Sequence, residues 1–150
     1  MLVLCAVPLL AQKYTGPRPP KPDLPFLMHA DNLVPTEGLE AKQEDRKGDT
    51  VYVVPGATSS ARTPLSSPIF LVLAEELTPD RLQLYRMQSK NGQREVLYSH
   101  KKKIVARPLR LTVTHLESNL YKLEVDEILE NGEYSITPTD SNKVFCFQVY

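Results

Sequence analysis

From residue 24 onward, apolar positions come in short alternating or continuous runs bounded by turn residues, and no stripe of helical period extends over ten residues. Leu82, Leu84 and Arg86 alternate with Gln83, Tyr85 and Met87, and Val96 and Tyr98 alternate with Glu95, Leu97 and Ser99. Between these runs lies Asn91-Gly92, a pair that tolerates positive φ and so predicts a type I′ hairpin. Leu109, Leu111 and Val113 alternate with Arg110, Thr112 and Thr114, and Tyr121, Leu123 and Val125 with Lys122, Glu124 and Asp126, the turn between them falling at Glu117-Ser118-Asn119. Tyr134 and Ile136 follow the turn Glu130-Asn131-Gly132, and the run Val144 to Val149 predicts a last strand pinned into a sheet. Val51 to Val54 ends at Pro55-Gly56, whereas Ile69 to Leu73 is apolar on both faces, the pattern of a central strand covered on each side. With Leu24–Met28 and Leu39–Gln43 these make about eight or nine strands, spaced roughly 10–15 residues apart. That rhythm predicts an all-β fold, an antiparallel two-sheet sandwich (immunoglobulin-like or similar), with an irregular barrel as the alternative.

The first 25 residues follow a different pattern. Met1 to Ala11 is an apolar run ending in small residues before Gln12, the character of a signal-peptide remnant over 1–11, although no Lys or Arg precedes Lys13 and the true start would then lie upstream of Met1. Pro17, Pro19, Pro20, Pro22 and Pro25 make residues 12–25 a proline-rich, semi-rigid extended tether. Residues 26–150 are then a single β domain, and the protein is expected to be secreted or periplasmic. The apolar opening is far shorter than the roughly 20 residues of a bilayer span, so no transmembrane segment is expected in the mature chain. Cys146 would be the one cysteine left after cleavage, and Phe145 and Phe147 on either side mark it as a buried thiol.

Overall composition is that of a globular domain, with 150 residues, 41% hydrophobic, and 18 cationic residues balanced by 18 acidic ones. A net charge of zero argues against nucleic acid as a partner. The charge is nevertheless segregated. Residues 86–110 carry eight cations against Glu95 alone, with Lys101, Lys102, Lys103, Arg107 and Arg110 as a candidate basic patch, while residues 111–150 carry seven acidic residues against Lys122 and Lys143. Adjacent antiparallel strands would let the two blocks neutralise each other.

Candidate chemistry is sparse. His29, His100 and His115 are far apart and lack the close His/Cys spacing of a metal site, so no metal is expected, and no phosphate-cradling glycine pattern points to a cofactor. His29 and Asp31 could meet at a strand end as an acid–base pair, although Asp31-Asn32 before Leu33 and Pro35 also reads as turn chemistry. The long connection from Pro55 to Pro68 holds Ser59, Ser60, Arg62 and Thr63, whose hydroxyls and guanidinium form a candidate site for a small ligand or carbohydrate. Gly56-Ala57-Thr58-Ser59-Ser60 lacks the second glycine of a nucleophile elbow.

Three stretches, Phe26 to Pro35, Leu129 to Pro138 and Val144 to Val149, resemble small exported bacterial β-rich proteins of unassigned function. The resemblance implies a β fold and an envelope or extracellular address, and it carries no catalytic residue. The sequence therefore leads to a non-enzymatic exported binding or interaction module, partnered by an unknown protein or envelope component. A small-ligand or carbohydrate binder using the 55–68 loop is the alternative, and an enzyme with a site near His29 and Asp31 is the second alternative.

Overall fold

The computed structural model describes residues 13–99 and 106–150, with the side chains of Tyr98 and Ser99 left out. The expected signal remnant at 1–11 and Lys101, Lys102 and Lys103 lie outside the described residues. The fold is all-β, two sheets packed face to face. The strands are β1 (Phe26–His29), β2 (Asn32–Pro35), β3 (Glu37–Glu40), β4 (Lys42–Arg46), β5 (Asp49–Pro55), β6 (Arg62–Thr63), β7 (Ile69–Leu73), β8 (Leu82–Lys90), β9 (Gln93–Ser99), β10 (Leu111–Glu117), β11 (Leu120–Val125), β12 (Gly132–Pro138) and β13 (Lys143–Val149). A 3-10 turn at Pro79–Arg81 leads into β8.

The first sheet has the order β10-β11-β7-β1-β2, and the second β3-β13-β12-β8-β9-β5-β4, with β6 beside β13. All pairings are antiparallel except that of β6 with β13. β7 is central in the first sheet, and Phe70, Leu71 and Val72 are all fully buried, as its two-faced apolar sequence requires. The β8–β9 hairpin turns at Asn91-Gly92 with φ of 54° and 76°, and Lys90 pairs with Gln93. Those angles suit a primed turn, which follows the right-handed twist of the strands it joins.

Between the sheets lies the main core. Leu27, Phe70, Val72 and Leu123 from the first sheet meet Leu84, Tyr134, Ile136, Phe145 and Phe147 from the second. Phe70 packs edge-on against Phe147 at 5.0 Å, and Tyr134 stacks on Phe147 at 5.6 Å, geometries that favour aromatic pairs beyond their burial.

The second sheet is not flat. β8 changes partners along its length, pairing with β12 through Leu82–Met87 and with β9 through Gln88–Lys90, and the sheet curls there into a half-barrel. Its concave face holds a second core of Ala41, Val54, Tyr85, Met87, Val96, Val144 and Cys146. Strand β13 is therefore apolar on both faces, with Phe145, Phe147 and Val149 in the sandwich core and Val144 and Cys146 in the half-barrel.

Two local expectations are revised. Leu39–Gln43 is not one strand, because the chain bends at Ala41 and divides it between β3 and β4 on opposite ends of the sheet order. Asn32 and Leu33 belong to a strand, with the turn one residue earlier at Ala30-Asp31, where Ala30 has φ of 53°. In the described part of the proline-rich segment, the Tyr14 amide and the Arg18 guanidinium bond Glu117, and the Asp23 amide bonds the Leu73 carbonyl.

Candidate functional site

On the concave face of the half-barrel, alternation brings together every second residue of six strands. Glu37, Cys146, Ser135 and Tyr85 are direct cross-strand neighbours across β3, β13, β12 and β8, while Tyr52 faces Val96 and Val54 faces Arg94 across β5 and β9. This face has two ends of opposite character.

One end is open. A cavity of about 570 Å³ is lined by Tyr52, Tyr85, Met87, Val96, Val144 and Ala41 as apolar walls, with Gln83, Ser135 and Thr137 as polar groups inside and the loop Thr139–Asn142 as rim. Gln83 Oε1 accepts the Tyr85 hydroxyl at 2.7 Å, and the Thr137 and Ser135 hydroxyls stand 3.5 Å apart. The rim is tied down from two sides. Arg81 bonds Thr139 Oγ1 and Asp140 Oδ2, each at 3.0 Å, and the Ala41 amide donates to the Asn142 carbonyl at 2.7 Å. Both members of the Arg81–Asp140 pair are largely exposed, so it adds little stability.

The other end is closed by a buried charge. Arg94 is 1% exposed, and its guanidinium donates to the carbonyls of Gly56 and Pro55 at 2.9 and 2.8 Å. Its Nη1 lies 2.8 Å from Glu37 Oε1 and 3.9 Å from Glu133 Oε1. The first contact is an ion pair without hydrogen-bond alignment, which leaves both atoms buried and attracted only through space. Glu133 accepts the Ser59 amide at 2.6 Å, and burial pushes its carboxyl above the ordinary range against the opposing effects of Ser59 and Arg94. Cys146 sits between the two ends, 4.0 Å from Met87 sulfur, and burial pushes its thiol up to about 12.

This arrangement accounts for the 55–68 connection. Arg94 and the Ser89 hydroxyl hold its first turn to the β8–β9 hairpin, Glu133 holds Ser59 to β12, and β6 adds itself beside β13. Gly56, with φ of 85°, makes the turn that presents two carbonyls to Arg94.

The residues singled out from sequence are dispersed. Ser59 and Thr63 are buried, and their hydroxyls are used within the fold: Ser59 Oγ accepts the Ala61 amide, and Thr63 Oγ1 accepts the Leu65 amide and lies 2.7 Å from His29 Nε2. Ser60 and Arg62 are exposed, Ser60 near Glu37 and Arg62 bonded to Gln148 and stacked 4.1 Å over Tyr150. His29 thus meets Thr63, while Asp31 is exposed in the β1–β2 turn. Arg107 and Arg110 are exposed, and the Arg110 amide is bonded by Glu127. Charges from the basic and acidic blocks do meet at Arg86–Glu130, 2.9 Å, and at Arg94–Glu133. Among the described residues no group of three His, Cys, Asp or Glu side chains is placed to hold a metal ion, and no helix is long and apolar enough to cross a membrane.

Sequence reasoning missed the pocket and the charged floor. A signal for the floor was present, since Arg94 shares the parity of Val96 and Tyr98 and therefore the apolar face of its strand. No family model matches the chain, and no match is found among curated proteins or solved structures.

Proposed function

We propose that the protein is a non-enzymatic binding module that receives a small, uncharged, partly apolar ligand in the concave pocket of its curled sheet. The observation that carries this reading is the cavity, whose 570 Å³ falls within the roughly 300–1,000 Å³ of small-molecule sites and whose lining combines apolar walls with a few convergent polar groups. Of the described titratable groups that line it, Asp140 is at the rim with Arg81 as partner, and the others are the phenols of Tyr52 and Tyr85. The interior offers contact area and hydrogen bonds in place of proton transfer.

The test is amide-resolved NMR with a library of neutral fragments. Saturable shifts clustered on Gln83, Tyr85, Ser135 and Thr137 are the expected result. Shifts clustered on Ser59–Thr63, or none anywhere, would refute it.

We further propose a secreted or periplasmic setting, with an unknown protein or envelope component as partner. Leu2–Leu10, the prolines that follow and the resemblance to small exported bacterial proteins support this. Mass spectrometry of the native protein should find a mature N-terminus near Gln12, and intact Met1 in the cytoplasmic fraction would count against export.

A further inference from the structure

The pocket lining narrows the ligand class further, on the premise that this pocket is the binding site. We infer that its ligand is a neutral saccharide, seated with one C–H face against the tyrosine wall and its hydroxyls on Gln83, Ser135 and Thr137.

Three observations select this class. Polar groups lie inside the cavity as well as at its mouth, Ser135 being only 2% exposed. A wholly apolar occupant would remove water from them without replacing its hydrogen bonds, an unfavourable exchange. At 3.5 Å the Ser135 and Thr137 hydroxyls bond each other at the limit of hydrogen-bond distance, and Gln83 spends its carbonyl oxygen on Tyr85, which leaves its amide nitrogen to donate. The occupant therefore carries both donors and acceptors.

Beside these groups the lining is apolar and partly aromatic, with Tyr85 and Met87 from β8 and Tyr52 and Val96 from β5 and β9. A pyranose ring has apolar C–H faces and a polar edge, so it satisfies wall and interior at once through ring contact and hydroxyl bonds.

Charge argues against an anionic occupant. Among the described residues no Lys, Arg or His lines the cavity to receive an anion. The rim adds Thr139, Asp140, Ser141 and Asn142 in succession, polar groups for outer hydroxyls of a ligand of about one or two rings.

The experiment titrates the ¹⁵N-labelled protein with cellobiose, maltose and diacetylchitobiose, and with p-cresol as an apolar probe of the same pocket. At least one disaccharide should shift the amide signals of Gln83, Tyr85, Ser135 and Thr137 saturably. Thr137→Val and Gln83→Leu should each weaken that binding about three- to tenfold, the loss of one hydrogen bond, and leave p-cresol binding unchanged or tighter. Unaltered signals from Phe70 and Phe147 verify folding, and if Thr137→Val fails that check the half-buried Gln83 decides. Pocket shifts with p-cresol but with no disaccharide overturn the saccharide and leave the pocket reading intact. Silence from every probe overturns both. Disaccharide binding that neither variant weakens also overturns the saccharide inference.

Discussion

Replacing Arg94 by Met keeps a long apolar stem beneath the half-barrel core and removes the charge that closes its floor. Two carboxylates then lose their cation, and they are not equivalent, because the Glu133 side chain is 6% exposed and that of Glu37 22%. Removing one partner from a buried ion pair costs about 3–5 kcal/mol. The lost bonds to Pro55 and Gly56 add little, since both residues are exposed and water can replace the guanidinium. Glu133 keeps the Ser59 amide and the Gln148 side chain, which places the expected cost near 3 kcal/mol, the lower end of that range. Urea unfolding at neutral pH measures it directly, and a thermal midpoint should fall by on the order of 10 °C at 2–4 °C per kcal/mol. The pH dependence identifies the cause. Burial has already raised the Glu133 carboxyl in the parent, so the folded state binds its proton more tightly than the unfolded chain. A raised carboxyl contributes stability as pH falls through its folded value, and losing Arg94 enlarges that effect. The deficit of Arg94→Met should therefore shrink between neutral pH and about pH 5, and adding Glu133→Gln should restore about 1–2 kcal/mol at neutral pH. A deficit below about 1 kcal/mol, or one that grows on acidification, would refute the account of a buried, charge-compensating arginine.

Asp23 accepts the amides of Glu75, Glu76 and Leu77 as a cap accepts helix N–H groups, so Asp23→Ala should cost about 1–2 kcal/mol in denaturant unfolding. Burial alone would push its carboxyl up, but the amides of Leu77, Glu75 and Glu76 together with Lys143 outweigh that and hold it below its ordinary value. Its contribution is therefore full above about pH 4 and lost as pH falls through the lowered folded value, and the parent and Asp23→Asn should converge in acid; a constant gap would contradict the assignment. Cys146, fully buried and with its thiol pushed up to about 12, should react with a disulfide reagent far more slowly in the native protein than in urea. Equal rates would place it at the surface.

The strands were legible in the sequence because alternation is local. Asn91-Gly92 fixed a turn, Ile69–Leu73 a central strand, and Val144–Val149 a strand held by neighbours on both sides. The curl was not legible, since it arises where β8 exchanges β12 for β9, and no residue of Leu82–Lys90 marks that exchange. The pocket depends on the curl and was hidden with it. Gln83, Tyr85 and Met87 look in sequence like the solvent side of a sandwich strand and become an interior only when the sheet bends over them. The loop residues Ser59 and Thr63 were conspicuous for the opposite reason. Hydroxyls in a long connection suggest a ligand, yet here they satisfy the backbone of the connection itself, the commonest use of such groups.

The position of β13 has a kinetic consequence. It joins β12 on one side to β3 and β6 on the other, and its pairing with β3 closes a loop of roughly a hundred residues. Both hydrophobic interiors take residues from this one strand, so neither can be completed by a growing chain on the ribosome before Lys143–Val149 emerges. Such long-range closure makes folding slow, in the millisecond-to-second range of β-sandwiches, and it makes folding a single late event. Until then Phe70, Leu84 and Ile136 lack Phe145 and Phe147 as partners. A premature stop a few codons before Lys143 should therefore leave both interiors open and the polypeptide exposed to aggregation and proteolysis.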